Sequence, residues 1–188
     1  MNSRKRVRYV DGQILSAADF QAEQQYLLDR HRLHNLSCHG LGVISGLKVS
    51  VSTDGSADDS VTVHVSPGLA IDCLGDELHV PQPFVQVLQP PDEDVYVCVL
   101  MTETATDFVP RIGAGADDEH GTEATRIEES VVLTCELADP CAGHPVAGKR
   151  KTRTPCGKRH AISVAYLKKK GHGWKLERKF RPCCEQMV

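Results

Sequence analysis

Residues 61–80 run Val61-Thr-Val-His-Val65-Ser-Pro67-Gly68-Leu-Ala-Ile71-Asp72-Cys-Leu-Gly75-Asp76-Glu77-Leu-His-Val80, and their reading decides the fold. Val61, Val63 and Val65 alternate with Thr62 and His64, the period of a half-buried strand, with His64 on its outward face. Pro67-Gly68 is a sharp turn, Leu69 to Ile71 is a short strand, and Gly75 turns the chain again before Glu77 to Val80. Each segment is short and bounded by Gly, Pro or Asp, which is how an antiparallel meander reads.

Working outward, Val43 to Val51 reads as a strand broken by Gly46, with a polar turn at Asp54, Gly55, Asp58 and Asp59. Upstream stands one helix, expected over about 16–37. Ser16 caps it, Asp19 takes the capping-box position, and Gly40 and Gly42 end it. Phe20, Leu27, Leu28, Leu33 and Leu36 give it an apolar stripe, expected to cover the chain's own sheet. Such a stripe also suits packing against copies of itself in a ring or trimer. Downstream, Val95 to Met101 is the most apolar strand, residues 105–124 read as a long mobile loop, and Ile127 to Leu137 returns to strand. Residues 138–159 form an inserted basic loop, and 160–181 hold a hairpin around Lys168-Lys-Lys-Gly-His-Gly173.

The fold class is α+β, mainly β: one N-terminal helix region (9–38), then a small antiparallel β-sandwich or barrel-like unit within a single domain over 1–188. Its 188 residues suit one domain of ordinary size. Hydrophobic residues at 40%, charged at 25% and a mean hydropathy of −0.29 exclude a disordered or collagenous chain. No apolar run approaches the length of a membrane-spanning helix. The N-terminus is basic with no apolar stretch behind it, so a cytosol-made protein is expected, its eight Cys held as reduced thiols or metal ligands.

Charge is unevenly distributed. Residues 33–144 carry 19 Asp/Glu against Lys48, Arg111 and Arg126, a balance of −16, while 145–182 carry 13 Lys/Arg against Glu177, a balance of +12. The basic end can meet a polyanion, dock on an acidic neighbour, or stay solvated.

Cys141-Ala-Gly-His144 and Cys156-Gly-Lys-Arg-His160 are two ligand pairs separated by eleven residues. Two thiolates and two imidazoles complete a closed zinc site, so Cys141, His144, Cys156 and His160 are the candidate metal ligands, with Cys135, Cys183 and Cys184 in reserve. The spacing differs from that of a standard zinc finger. Cys38-His39 is a weak nucleophile–base candidate, and His39 is expected to be a buried helix-end residue instead. Asp72, Asp76 and Glu77 read as turn carboxylates rather than an acid–base pair. No phosphate-binding loop, dinucleotide fingerprint, nucleophile elbow or metalloprotease motif occurs, so no enzyme is expected.

The stretch Tyr9-Val-Asp11-Gly12-Gln13-Ile-Leu15, Asp19-Phe20, Glu23-Gln24-Gln-Tyr26, Arg30, His34-Asn35, His39-Gly40-Leu-Gly42-Val43, Gly46-Leu47-Lys-Val49, Val63-His-Val65-Ser-Pro67-Gly68-Leu-Ala70-Ile-Asp72 and Gly75 resembles small proteins that accompany phage-tail-like contractile injection systems. It is also similar to N-terminal modules of phage tail and baseplate proteins. The likeness covers residues 9–75 and does not reach the Cys/His loop or the basic hairpin. It implies a structural particle component at a tail end, baseplate or fibre attachment, acting through contacts with other particle subunits or itself. It further implies cytoplasmic assembly and release within an extracellular particle. The competing reading is a zinc-stabilised nucleic-acid-binding or adaptor module using Lys149, Arg150, Lys151, Arg153, Lys158, Arg159 and Lys168 to Lys170, although few aromatics interleave them.

Overall fold

The computed structural model describes residues 4–52, 60–110, 121–144, 146–147, 152–153, 156–171 and 173–182. Helix α1 spans Ala17–Cys38. Its start has the expected chemistry: the Asp19 carboxylate accepts hydrogen bonds from the backbone N–H of Ser16 at 2.8 Å and from its hydroxyl at 2.7 Å. Its end is closed by the N–H groups of His39 and Gly40, which both bond to the Asn35 carbonyl. The apolar stripe does not cover the sheets as expected. Phe20, Leu27 and Leu33 are 50%, 59% and 47% exposed, and only Asn35 and Leu36 near the C-terminal end reach the core.

The strands follow the meander. Strands β1 (Gly42–Gly46), β4 (Gly68–Ile71) and β5 (Glu77–Val80) form one sheet in the order β1-β4-β5. Strands β2 (Val49–Ser52), β3 (Val61–Val65) and β6 (Phe84–Leu88) form a second in the order β2-β3-β6. The junction between β1 and β2 lies where Gly46 broke the pattern. Gly46 (φ 63°) and Leu47 (φ 52°) are consecutive left-handed residues that redirect the chain and bury the Leu47 side chain.

A third sheet runs β12-β11-β7-β8, from β7 (Val95–Pro110), β8 (Thr122–Glu136), β11 (Ile162–Lys170) and β12 (Gly173–Leu176). Short strands β9 (Val146–Ala147) and β10 (Thr152–Arg153) pair with each other. Every pairing among the described residues is antiparallel. One core runs through the three larger sheets, drawing Leu78 from the first, Val61, Val63 and Val65 from the second, and Val95, Val97, Val99, Ile162 and Leu167 from the third.

The polar stretch 105–124 differs from its reading as a mobile loop. Strands β7 and β8 stay in register from Tyr96–Glu136 out to Pro110–Thr122, with one irregularity at Asp107 (φ 54°), whose carbonyl accepts the Thr125 hydroxyl at 2.7 Å. Thr104, Thr106, Val109, Thr122, Thr125 and Ile127 supply β-branched residues, so the backbone ladder forms without a core beneath it. Composition alone hid this, because the ribbon's faces are solvated. Residues 111–120 lie outside the described residues, as do Lys149, Arg150, Lys151, Cys183 and Cys184.

Part of the basic end pairs with carboxylates of its own chain. Lys169 pairs with Asp92 at 3.1 Å and lies 4.7 Å from the Trp174 ring centroid, and Lys168 meets Glu177 at 2.6 Å.

Candidate metal centre

The turn between β4 and β5 is built on Asp72. Its Oδ1 accepts backbone N–H groups from Leu74 at 2.8 Å, Gly75 at 2.9 Å and Asp76 at 3.0 Å, so the carboxylate organises the turn as expected. Burial pushes the Asp72 carboxyl above its ordinary range, partly offset by those backbone donors.

Two other parts of the chain are tied to this turn. From α1, Arg32 reaches Asp76 through Nε at 2.5 Å and a second nitrogen at 3.0 Å, Asn35 donates to the Gly75 carbonyl at 3.0 Å, and His31 meets Glu77 at 2.9 Å. From the insertion, Arg159 donates to Asp76 at 2.7 Å and to Glu103 at 2.9 Å. Asp76 is therefore a buried anion between two guanidinium groups. Burial alone would raise its carboxyl, but Arg32 and Arg159 outweigh it and hold it below the usual range.

The tight turn also aims Cys73 inward, fully buried. The ligand atoms of Cys73, His144, Cys156 and His160 all lie within 4.8 Å of one another. The Cys73 sulfur is 3.3 Å from His144 Nε2, and the two imidazoles stack with centroids 4.7 Å apart and planes 19° from parallel. His144 Nδ1 faces the Cys141 carbonyl at 3.2 Å, and His160 Nδ1 faces the Ala161 carbonyl at 2.8 Å. His160 Nε2 is buried and has no hydrogen-bond partner among the described residues. Burial pushes the Cys73 thiol up to about 12; a backbone hydrogen bond from Cys156 opposes this, while the neighbouring Cys156 thiol adds to it.

Of the four residues expected from spacing, His144, Cys156 and His160 converge, and Cys141 does not join them. Its thiol is buried with the core cluster and adds to the upward push on the Cys73 thiol, while its carbonyl faces His144. The turn 139–144 is held by Asp139, whose carboxylate accepts the Cys141 N–H at 3.0 Å and the Ser163 hydroxyl, and this sets the Cys141 carbonyl against His144. Cys135 also stands apart, in β8 opposite Val97. The residue that sequence reasoning missed is Cys73, 71 positions before His144. Its one local signal was a thiol inside the Asp72–Asp76 turn.

The weaker candidates are arranged differently from their sequence pairing. Cys38 Sγ is 3.6 Å from His34 Nδ1, one helical turn back, rather than beside the ring of His39. His39 is exposed, against the expectation of burial, and its ring meets His34 edge-on. Asp72, Asp76 and Glu77 are occupied by the turn, the two arginines and His31.

The architecture is one of antiparallel strands with an N-terminal helix clasped to the turn between β4 and β5. No protein-family model matches the chain, and no curated protein does. Among solved structures, the chain is similar to one from the baseplate complex of the type VI secretion system, at 13% identity and a TM-score of 0.50, covering 96% of this chain and 60% of that one. It is also similar to a chain of the TssK-TssF-TssG baseplate subcomplex at 12% identity (TM-score 0.49, 95% and 61% covered) and to TssK at 13% (0.49, 95% and 42%). At these identities the likeness is one of fold, and the chain spans only two fifths to three fifths of those proteins. No helix among the described residues is long and apolar enough to cross a membrane.

Proposed function

We propose that this chain is a structural component of a phage-tail-like contractile injection particle, working through protein–protein contacts at a tail end, baseplate or fibre attachment. The observation that carries the reading is the fold shared along 96% of the chain with a protein of a type VI baseplate complex. The residues quoted from 9–75 point to the same class. Two exposed elements supply contact surface: the stripe of α1, and the ribbon of β7 and β8 carrying Phe108, Val109 and Ile127. An isolated two-stranded ribbon is marginal in water, so a partner along it adds stability. The role is non-enzymatic, assembled in the cytoplasm and released with the particle, and partners are other subunits or further copies of this chain.

The competing nucleic-acid reading loses part of its surface, because Lys168, Lys169 and Arg159 are paired within the chain. Binding that weakened steeply with added salt would restore it.

Sheathed particles purified from cells that make this protein should contain it in a constant ratio to the sheath. Replacing Leu27 by glutamate should lower its incorporation about tenfold or more. The unfolding free energy should move by no more than about 0.5 kcal/mol, since Leu27 is 59% exposed and takes no part in the core. Particles complete and active without the chain would overturn the proposal.

A further inference from the structure

We infer that Cys73, His144, Cys156 and His160 form a closed tetrahedral site for one structural zinc ion, which staples the 138–159 insertion and the start of the following hairpin to the turn between β4 and β5. The inference is independent of the assembly role, and either can stand without the other.

The donor set and its size fit. Zinc–sulfur bonds of about 2.3 Å and zinc–nitrogen bonds of about 2.0–2.1 Å place neighbouring tetrahedral donors roughly 3.3–3.8 Å apart. Here all four ligand atoms lie within 4.8 Å, and Cys73 to His144 is already 3.3 Å. Closing the rest takes about an ångström of side-chain adjustment, within reach of the exposed Cys156.

The imidazoles are set for it. A carbonyl oxygen accepts only a proton-bearing nitrogen, so the Cys141 and Ala161 carbonyls fix Nδ1–H on His144 and His160. Both lone pairs then belong to Nε2. Orientation of a ligating histidine by a backbone carbonyl on its other nitrogen is the usual second layer of a metal site. A Cys73 thiol proton can satisfy one of these nitrogens, His144 Nε2. His160 Nε2 is then left buried with no partner among the described residues, a cost that a cation removes.

The metal would add to the Arg159, Asp139 and Cys141 contacts that already hold the ends of the insertion. The insertion is polar and rich in Pro, Gly and basic residues, with little apolar surface to pack. A metal crosslink joining positions 73 and 144–160 closes a long loop, where such a link stabilises most. On binding, both thiols lose their protons and the two thiolates balance the charge of the divalent ion.

The test uses the full chain, reduced, with Co²⁺ as the optical probe and Zn²⁺ as competitor. One Co²⁺ per chain should bind with the intense visible bands of tetrahedral cobalt–thiolate coordination, and one Zn²⁺ should displace it. Native mass spectrometry should show one zinc lost to a strong chelator, with Tm falling by about 10 °C. Cys156→Ser changes an exposed residue and should fold, yet weaken Co²⁺ binding by about 100-fold or more. Cys141→Ala, its fold checked by circular dichroism, should keep the spectrum. If that variant does not fold, the wild-type titration alone decides. The inference fails if the reduced wild type gives no tetrahedral spectrum, or if folded Cys141→Ala loses it as Cys156→Ser does. It fails equally if protein purified without reductant and alkylated carries a Cys73–Cys156 disulfide in place of metal.

Discussion

Replacing Gly46 by alanine is expected to destabilise the chain by about 3 kcal/mol or more, a large share of the roughly 5–15 kcal/mol of an ordinary domain. Two separate costs add at this residue. Its φ of 63° lies in the left-handed region, where an L side chain costs roughly 1–2 kcal/mol. A Cβ there would also stand 1.9 Å from the Pro67 carbonyl oxygen and 2.8 Å from the Cα of Gly68. Both are backbone atoms of the β3–β4 turn, so no rotamer relieves the clash. The Leu47 N–H bonds that same carbonyl at 3.2 Å, so parting the chains also strips a backbone hydrogen bond and unseats buried Leu47.

Gly171→Ala separates the two costs. Gly171 has a φ of 57° with nothing within 4 Å of the added carbon, so this variant carries the conformational cost alone. Urea unfolding should show both midpoints lowered at unchanged slope, with Gly46→Ala at least twice as far down. Equal shifts would mean that the approach to Pro67 does not constrain the junction.

That junction also shows how much was legible beforehand. Gly46 breaking a period-two pattern, the Pro67-Gly68 turn and Gly75 are each local signals, and together they placed β1 to β5 where they are found. The caps of α1 were legible for the same reason, since Ser16, Asp19 and Gly40 act on their own neighbours. What was lost depended on distance. The stripe of α1 announced burial without saying against what, and the last turns are held instead by Arg32, Asn35 and His31 on a turn some forty residues away. Cys73 was invisible for the same reason, because ligand spacing is readable only when ligands are near neighbours. Cys141 showed the opposite failure. It was expected beside His144, Cys156 and His160, and what faces the His144 ring is its carbonyl.

Asp76→Asn is the second substitution expected to act strongly, at about 3 kcal/mol near neutral pH. The Asp76 side chain is 3% exposed, and its partners Arg32 and Arg159 are 16% and 25% exposed. Taking the charge away leaves two largely desolvated guanidinium groups, which costs far more than an exposed pair is worth. Arg159 keeps Glu103, so the larger loss falls on Arg32 and the docking of α1. A 22-residue helix without tertiary support is marginal, so far-UV circular dichroism should report part of the loss before global unfolding. The pH dependence carries a definite sign. The folded carboxyl lies below its ordinary value of 3.8, so its stabilisation is complete above that value and lost as pH falls through the depressed one. Asp72 acts the other way: its raised carboxyl gives stability at low pH that is lost as pH climbs. Both proteins keep Asp72, whose raised carboxyl owes most to burial and a smaller part to the Asp76 charge, so the difference between wild type and Asp76→Asn reports mainly on Asp76. Unfolding free energies should therefore stay well apart from about pH 7 down to about pH 4 and draw together only below it, as pH falls toward the depressed Asp76 value. Curves that stay parallel below that point would mean that the clasp between α1, the turn and the insertion does not depend on the Asp76 charge.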